Sequence, residues 1–147
     1  MIRRIAFALI ALFLGSAFAA AQPLPVPSTW QNQSGSYLVV NSIDGAGNFK
    51  GTYYNYASGT QCLGTPFDVT GVTSGANIVF VVTWKNSSTR CNSLTEWTGT
   101  ISGSAIYTSW QLAFPNMTSG NIQIQYGNDT FQRLATMLRR GKIKRKR

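Results

Sequence analysis

Residues 77–85 read Asn-Ile-Val-Phe-Val-Val-Thr-Trp-Lys, an apolar run rich in β-branched and aromatic side chains. Such a run, bounded by turn-forming residues, is typical of a β-strand. Because successive residues of a strand point to opposite faces, one face would hold Ile78, Phe80, Val82 and Trp84. The opposite face carries Val79 and Val81, which are unusually apolar for a surface in contact with water. It therefore favours burial, either against the second sheet of a sandwich or against another subunit.

Similar runs lie on both sides of this segment, separated by clusters of glycine, asparagine, serine and aspartate. The predicted strands are Thr29–Gln33, Tyr37–Ser42, Phe49–Ala57, Phe67–Thr73, Asn77–Lys85, Leu94–Ser102, Ala105–Ala113 and Asn121–Leu134. No stretch of the body has a helical period, and no internal repeat is evident. Short strands at regular spacing in a body of roughly 110 residues predict an up-and-down barrel or a sandwich. The interior of an eight-stranded barrel can hold one small ligand.

Charge is concentrated at the two ends of the chain. The formal net charge is +9, from 13 lysines and arginines against 4 acids, and histidine is absent. Two of the cations precede residue 5 and seven lie within residues 139–147, so the cations and acids of the body balance. The missing histidine excludes Ser-His-Asp, Cys-His and histidine-ligated metal chemistry. A nearly neutral body gives no indication of a specific nucleic-acid partner.

Both terminal segments differ in composition from the body. Residues 1–21 combine two arginines, a short apolar run and an Ala-x-Ala site, which predicts a secretory signal peptide and export to the periplasm or the medium. A retained anchor is the alternative. Residues 22–28 would form a proline-rich leader and residues 29–134 the barrel domain. The basic tail, residues 135–147, is predicted to be a solvated, disordered terminus, with contact to anionic surfaces or insertion into a neighbouring pocket as alternatives.

The body contains two cysteines, Cys62 and Cys91. In an exported protein the default for such a pair is a disulfide, and two free thiols are the alternative. A metal site is not favoured, because the pair is widely spaced and no histidine can complete it. No metal or cofactor is therefore expected.

Several polar side chains are predicted to face the same way as the tryptophans. The residues that would share faces are Trp30 with Asn32, Tyr53 with Asn55 and Ala57, Ser93 and Thr95 with Trp97, and Trp110 with Leu112. A buried polar group without a partner costs about 1–3 kcal/mol. The pattern thus indicates either a pocket whose polar groups meet a ligand or water, or polar groups that satisfy one another near the strand ends.

Six segments of the chain, in order and at similar spacing, resemble the avidin/streptavidin family of biotin-binding proteins. They are Trp30–Ser36, Gly51–Tyr53, Trp84–Asn86, Glu96–Gly99, Trp110–Leu112 and Gly127–Phe131. The resemblance covers roughly Trp30 to Leu134. It implies an eight-stranded antiparallel up-and-down barrel with one pocket at its mouth, which binds and sequesters biotin without catalysis.

The resemblance also implies a role for each matching residue. Donors to the ureido oxygen of biotin would be Asn32, Ser36 and Tyr53; acceptors for its two N–H groups would be Asp129 and Asn55. Thr95 would contact the ring sulfur and Ser93 the valerate carboxylate. The apolar walls would be Trp84, Trp97, Trp110 and Leu112. The segment Ala57–Thr60 would form a lid over the carboxylate end.

Two further features bear on the oligomeric state. Tetrameric members of the family lend a tryptophan to a neighbouring pocket, whereas this chain has Asn121 near that position. A Cys62–Cys91 bridge would resemble the dimeric bacterial members, in which a disulfide orders the lid loops before the ligand binds. The resemblance therefore implies a homodimer, which we expect to bury the side of the wall that carries Val79 and Val81.

Two alternatives remain open at this point. The same barrel could bind a different small ligand. It could also be an all-β enzyme that uses Asp129 or Glu96, although general acid–base catalysis is poorly supplied without histidine or a close carboxylate pair. Asp129 could also simply cap a turn after Gly127.

Overall fold

The computed structural model describes residues 24–86, 91–116 and 118–134. These residues form eight strands: β1 Ser28–Asn32, β2 Tyr37–Ile43, β3 Asn48–Tyr54, β4 Pro66–Ser74, β5 Asn77–Asn86, β6 Cys91–Ser102, β7 Ala105–Pro115 and β8 Ile122–Arg133. Each strand pairs with the next in antiparallel register, and β8 pairs with β1, so the sheet closes on itself. The predicted up-and-down barrel is thus confirmed, and the sandwich is excluded.

The strand boundaries agree with the predicted ones to within three residues. The predicted third strand continued to Ala57, whereas β3 ends at Tyr54 because the next residue turns into a loop, where the Gly64 N–H donates to the Asn55 carbonyl at 2.9 Å. The predicted sixth strand began at Leu94, whereas β6 begins at Cys91, since the ladder with β5 continues that far. Tertiary pairing, which local composition does not encode, sets both ends.

The inner face of β5 lies in the core of the barrel, as its alternation predicted. The side chains of Ile78, Phe80, Val82 and Trp84 are all buried. The Phe80 ring stacks on Trp97 with a centroid distance of 4.9 Å and an interplanar angle of 9°. Val79 and Val81 lie half-buried on the outer wall. One continuous core of aliphatic and aromatic side chains therefore fills the interior of the barrel and extends to Trp84 and Cys91 near the mouth.

The two ends of the barrel are built differently. The β2–β3, β4–β5 and β6–β7 connections are short turns at one end, which we call the base. The β1–β2, β3–β4 and β7–β8 connections lie at the other end, the mouth, where the loop after β3 spans residues 55–65. The long loop after β3 leaves room for a cavity at the mouth.

The segment before β1 also contributes to the core. Leu24, in the predicted leader, is 3% exposed and belongs to the main hydrophobic cluster. Ser28, the last residue of that leader, is already the first residue of β1, and its hydroxyl accepts a hydrogen bond from the Trp30 indole at 2.8 Å. Leu24 therefore extends the hydrophobic core at the base end, where β1 begins.

Replacing Leu24 by alanine is expected to lower the free energy of unfolding by about 2–4 kcal/mol, because a buried side chain is removed from a core that can collapse only partly. Urea unfolding of the two proteins measures the difference. Leu63→Ala is the matched control, since Leu63 is 48% exposed. Equal losses for both variants would mean that Leu24 does not stabilise the barrel.

The predicted signal peptide, residues 1–21, and the tail, residues 135–147, lie outside the described residues. Among the residues that are described, no helix is long and apolar enough to cross a membrane.

Candidate functional site

A cavity of about 170 Å³ opens at the mouth of the barrel. Its lining contains every residue that the sequence predicted for ligand contact. These residues are Asn32, Ser36, Tyr53, Asn55, Ala57, Trp84, Ser93, Thr95, Trp97, Trp110, Leu112 and Asp129. Ser34 and Thr60 also line the cavity, and the sequence assigned neither a direct ligand contact. We call this cavity the cup.

Stacked aromatic rings form the floor of the cup. The Trp97 indole lies between Phe80 and Tyr53, with ring centroids 4.9 Å and 5.0 Å away. Trp84 meets Tyr53 edge-on at 5.6 Å, and its indole N–H donates to the Thr95 hydroxyl at 2.7 Å. Each ring is therefore fixed by its neighbours, which leaves a rigid apolar surface for a ligand.

Trp110 forms another wall, and a glycine on the adjacent strand makes room for it. Trp110 pairs with Gly127 across β7 and β8. A Cβ atom at Gly127 would collide with the indole ring. The absence of a side chain there lets Trp110 lie against the β8 backbone.

Asp129 is the acidic residue that lines the cup, and it is 8% exposed. The Trp97 indole N–H donates to Asp129 Oδ2 at 2.8 Å, and Gln33 Nε2 donates to Oδ1 at 2.7 Å. Each carboxylate oxygen therefore has one donor and keeps capacity to accept another hydrogen bond. Since Asp129 lies within β8 and its side chain binds these two groups, it does not cap a turn.

Gln33 is a residue whose role the sequence reasoning missed. Besides Asp129, its Nε2 donates to the Asn128 carbonyl at 3.0 Å, and its Oε1 accepts from the Thr130 N–H at 2.9 Å. The side-chain amide thus pairs with β8 as a backbone peptide would, just beyond the last β1–β8 pair, at Asn32. Its position in the matching Trp30–Ser36 segment was the available signal, but an exposed residue after a strand gives no indication of its target.

The orientation of the Asn32 amide is fixed by the β1–β2 turn. Asn32 Oδ1 accepts hydrogen bonds from the backbone N–H groups of Ser34 and Ser36, at 3.1 and 2.8 Å. The turn contains Gly35 at φ +81°, a conformation that favours glycine. Because its oxygen is committed to the backbone, Asn32 presents its NH₂ group to the cup, where it reaches the Tyr53 hydroxyl at 3.4 Å.

Tyr53 is buried at the floor of the cup, at 2% exposure. Burial raises the pKa of its hydroxyl, the negative charge of Asp129 raises it further, and a hydrogen bond with Ser36 acts in the opposite direction. The net effect keeps the phenol protonated well into alkaline solution. Tyr53 is therefore held as a hydrogen-bond donor.

The raised pKa of Tyr53 predicts how stability depends on pH. In the unfolded chain a tyrosine ionises near its ordinary pKa of 10.0, whereas folded Tyr53 keeps its proton. The contribution of Tyr53 to the free energy of unfolding is therefore complete below that pH and is lost as the pH rises above it. Urea unfolding from pH 8 to about pH 11 should show stability falling less steeply in Tyr53→Phe than in the wild type. Equal slopes in the two proteins would contradict the prediction.

The polar groups of the cup form hydrogen bonds with one another, and two of these bonds are long. Within the described ranges, no buried side-chain nitrogen or oxygen lacks a hydrogen-bond partner. Two of the contacts, Asn32 Nδ2 to the Tyr53 hydroxyl and the Ser36 hydroxyl to Asn55 Oδ1, are 3.4 Å long. Bonds of that length are weaker than the usual 2.7–3.2 Å. The donors can therefore exchange these contacts for shorter ones to a ligand oxygen.

The loop over one side of the cup is organised by Asn55. Its Nδ2 donates to the Thr60 hydroxyl at 2.7 Å, and that hydroxyl donates to the Ala57 carbonyl at 2.8 Å. Asn55 Oδ1 accepts from the Ala57 N–H at 3.1 Å. The loop is also tied to the first residue of β6 by the Cys62–Cys91 disulfide, whose Cα atoms are 5.6 Å apart. These hydrogen bonds and the disulfide thus hold this side of the mouth in place.

The chemistry of the cup is that of a binding site. Asp129 has no second carboxylate in the cup lining, and Glu96 lies on the outer wall, where it accepts from the Thr98 hydroxyl at 3.1 Å. Among the described residues, no group of three or more histidine, cysteine or acidic side chains could hold a metal ion. The cup instead offers fixed donors, one carboxylate and aromatic walls, which suit a small ligand with a polar head and an apolar body.

Comparison with known proteins gives consistent matches. Residues 20–134 match the Avidin family. Afifavidin from Afifella pfennigii is 43% identical over 111 residues, which are 72% of this chain and 67% of that protein. Hoefavidin from Hoeflea phototrophica is 39% identical over 122 residues, 75% of this chain and 73% of that protein. Among solved structures, the rhizavidin–biotin complex matches with a TM-score of 0.70 and 43% identity, covering 76% of this chain and 94% of the other.

Proposed function

The chain belongs to the avidin family, and from that premise we propose that its cup binds biotin tightly and without chemical turnover. The observation that carries the proposal is the pairing of fixed donors with one buried carboxylate. The Asn32 amide and the Tyr53 hydroxyl converge at 3.4 Å, and Asp129 lines the same cup. A cyclic urea offers one oxygen that accepts and N–H groups that donate, which is the complement of this set.

The ureido oxygen of biotin would accept hydrogen bonds from Asn32, Ser36 and Tyr53. All three are donors that the fold holds before the ligand arrives, so the cost of ordering them is paid on folding and not on binding. Asp129 would accept from one ureido N–H while keeping its contacts with Trp97 and Gln33. Charge-assisted hydrogen bonds of this kind are stronger than neutral ones.

The second ureido N–H would be accepted by Asn55, whose Oδ1 has a weak contact, 3.4 Å from the Ser36 hydroxyl, to exchange. Thr95 would contact the ring sulfur and Ser93 the carboxylate, with Ala57 in the loop above. The fused rings and the aliphatic chain would pack on the apolar walls. Those walls are formed by Trp84, Trp97, Trp110 and Leu112.

Titration calorimetry of biotin into the mature protein is the direct test. We expect saturation at one biotin per chain with a negative change in heat capacity, because apolar surface is buried on binding. No heat and no rise in melting temperature would overturn the biotin assignment. Binding of another small cyclic ligand with biotin excluded would then favour the same barrel with a different ligand.

The assembled protein is proposed to be a homodimer. The outer wall from β5 to β8 is apolar near the mouth, where Leu94, Ile124 and Tyr126 are 41%, 49% and 69% exposed. Val81 lies on the same outer wall, since it pairs with Glu96, two residues along β6 from Leu94. Exposed apolar area of this kind favours a partner surface.

Light scattering should therefore give twice the mass of the mature chain. Leu94→Asp should lower the mass to that of a monomer, because it places a charge in the apolar wall. Leu63→Asp is the matched control, since Leu63 has similar exposure, 48%, but lies in the loop after β3. A wild-type monomer or tetramer would contradict the homodimer.

Export is proposed for the whole chain, with residues 1–21 removed as a signal peptide. The Cys62–Cys91 disulfide supports an oxidising destination, because such bonds persist there and are rare in the cytosol. N-terminal sequencing of exported protein should begin at Gln22.

The tail, residues 135–147, is proposed to be a solvated terminus, so its deletion should leave biotin affinity and the salt dependence of binding unchanged.

A further inference from the structure

A second cavity adjoins the cup at its mouth and has a volume of about 440 Å³. It shares Thr60, Ser93 and Leu112 with the cup. Beyond these it is lined by Gly59, Gln61, Asn92, Phe114, Pro115 and Gln125. We call this cavity the exit groove. Because the two cavities share lining residues, the groove begins where the cup ends, at Thr60, Ser93 and Leu112.

The exit groove has a distinct chemistry. Leu112, Phe114 and Pro115 follow one another along the end of β7 and form a half-buried apolar floor. Three residues with side-chain amides also line the groove, namely Gln61, Asn92 and Gln125. Each amide can both donate and accept hydrogen bonds. No charged side chain is found among the described residues that line the groove.

The groove lies nearer the rim of the mouth than the ureido-binding set. Gln125 and Asp129 both lie on β8, and Gln125 is closer to the mouth end of that strand. Ser93 and Leu112, which line both cavities, lie near the mouth ends of β6 and β7. A ligand whose polar head meets Asn32 and Asp129 therefore directs its other end toward the mouth, past Ser93 and into the groove.

We propose that the exit groove is a subsite for a peptide joined to biotin through an amide bond to a lysine side chain. This inference rests on the proposed function. The lysine stem is an aliphatic chain that fits the apolar floor, and the peptide backbone that follows carries N–H and C=O groups that match the side-chain amides. Conjugation also replaces the biotin carboxylate by a neutral amide, which suits a groove whose described lining carries no cation.

The test compares the dissociation rates of three ligands from the full mature protein. They are biotin, its butylamide, and a short neutral peptide with capped ends that carries a biotinyl-lysine. The butylamide supplies the aliphatic stem alone, so the peptide arm isolates the contacts of the peptide backbone. We expect the peptide to dissociate several-fold more slowly than the butylamide, because groove contacts act mainly on dissociation.

Two variants separate the groove from the cup. Phe114→Ala should raise the dissociation rate of the peptide about tenfold while that of biotin stays within about twofold, because only the conjugate reaches Phe114. Gln125→Ala should raise the dissociation rate of the peptide several-fold. Because Gln125 is exposed, this substitution is expected to leave the fold intact. Tyr107→Ala, at an exposed residue of β7 near the base, is the matched control and should change neither rate.

The outcomes distinguish this inference from the proposed function. If biotin does not bind the wild-type protein, the proposed function fails. If biotin binds, but the peptide leaves no more slowly than the butylamide and neither groove variant changes the ratio of the peptide and biotin rates, the exit groove is not a subsite. If both groove variants raise the dissociation rate of the peptide and leave that of biotin unchanged, the exit groove is supported as a subsite.

Discussion

Asp129→Ala is expected to raise the dissociation constant for biotin about 100- to 1000-fold, because a charge-assisted hydrogen bond to a ureido N–H is lost together with the partner of two protein donors. Those donors are the indole N–H of Trp97 and the side-chain amide of Gln33, which lie 2.8 and 2.7 Å from the carboxylate oxygens. Without Asp129, each must find water or another acceptor inside a site that holds the ligand. The rate at which labelled biotin leaves in the presence of excess unlabelled biotin measures the effect.

Two further substitutions make the Asp129 experiment specific. Asp129→Asn keeps the shape of the side chain and one acceptor oxygen but removes the charge, so its effect should lie between wild type and alanine. Asp68→Ala removes an exposed aspartate on the outer face of β4 and should leave biotin binding unchanged. Unaltered biotin binding by Asp129→Ala would remove Asp129 from the acceptor set.

Most of the barrel could be predicted because period-two alternation is read from neighbouring residues. On β5, four apolar side chains at alternate positions define the inner face without any knowledge of the partner strands. The same rule put Asn32 on the face of Trp30 and Thr95 on the face of Trp97, and all four are buried. Which of these polar groups meet a ligand is not encoded in alternation. The family resemblance supplied that part of the hypothesis.

The features that escaped prediction depend on contacts between distant segments. Gln33 reaches Asp129 across 96 positions of sequence, and nothing local to an exposed residue after β1 specifies that target. Leu24 lies between prolines in a segment that composition marks as a leader, yet it is buried as a member of the hydrophobic core. Thr60 holds the loop through Asn55, a contact that exists only once the loop has closed.

Asn55 illustrates how one residue can serve both the fold and the site. The sequence assigned it as an acceptor for the ligand, and its side chain also bridges to Ala57 and Thr60 in the loop. Its Nδ2 contact, at 2.7 Å, is much shorter than the 3.4 Å contact of its Oδ1 with Ser36. The amide is therefore anchored through its nitrogen and through the hydrogen bond that its oxygen accepts from the Ala57 N–H at 3.1 Å. The longer contact of the oxygen with Ser36 is the one that a ligand can displace.

Trp97→Ala is expected to lower the free energy of unfolding by about 3–5 kcal/mol, since it removes the largest ring from the centre of a stacked core. Trp97 is 4% exposed and lies between Phe80 and Tyr53, with centroids 4.9 and 5.0 Å away. Its loss also takes one hydrogen-bond donor from the buried Asp129 carboxylate. Urea unfolding without ligand measures the change.

Trp110→Ala distinguishes the contribution of an aromatic wall to stability from its contribution to ligand binding. Trp110 lines the cup but is half-buried, and no other ring stacks on it among the described aromatic pairs. We expect Trp110→Ala to lower the free energy of unfolding less than Trp97→Ala does, because it creates a smaller buried void. It should still weaken biotin binding, because contact between the ligand and this wall is lost. If both variants unfold at the same urea concentration, the stack around Trp97 does not dominate the stability of the barrel, and the tryptophans contribute to the fold in equal measure.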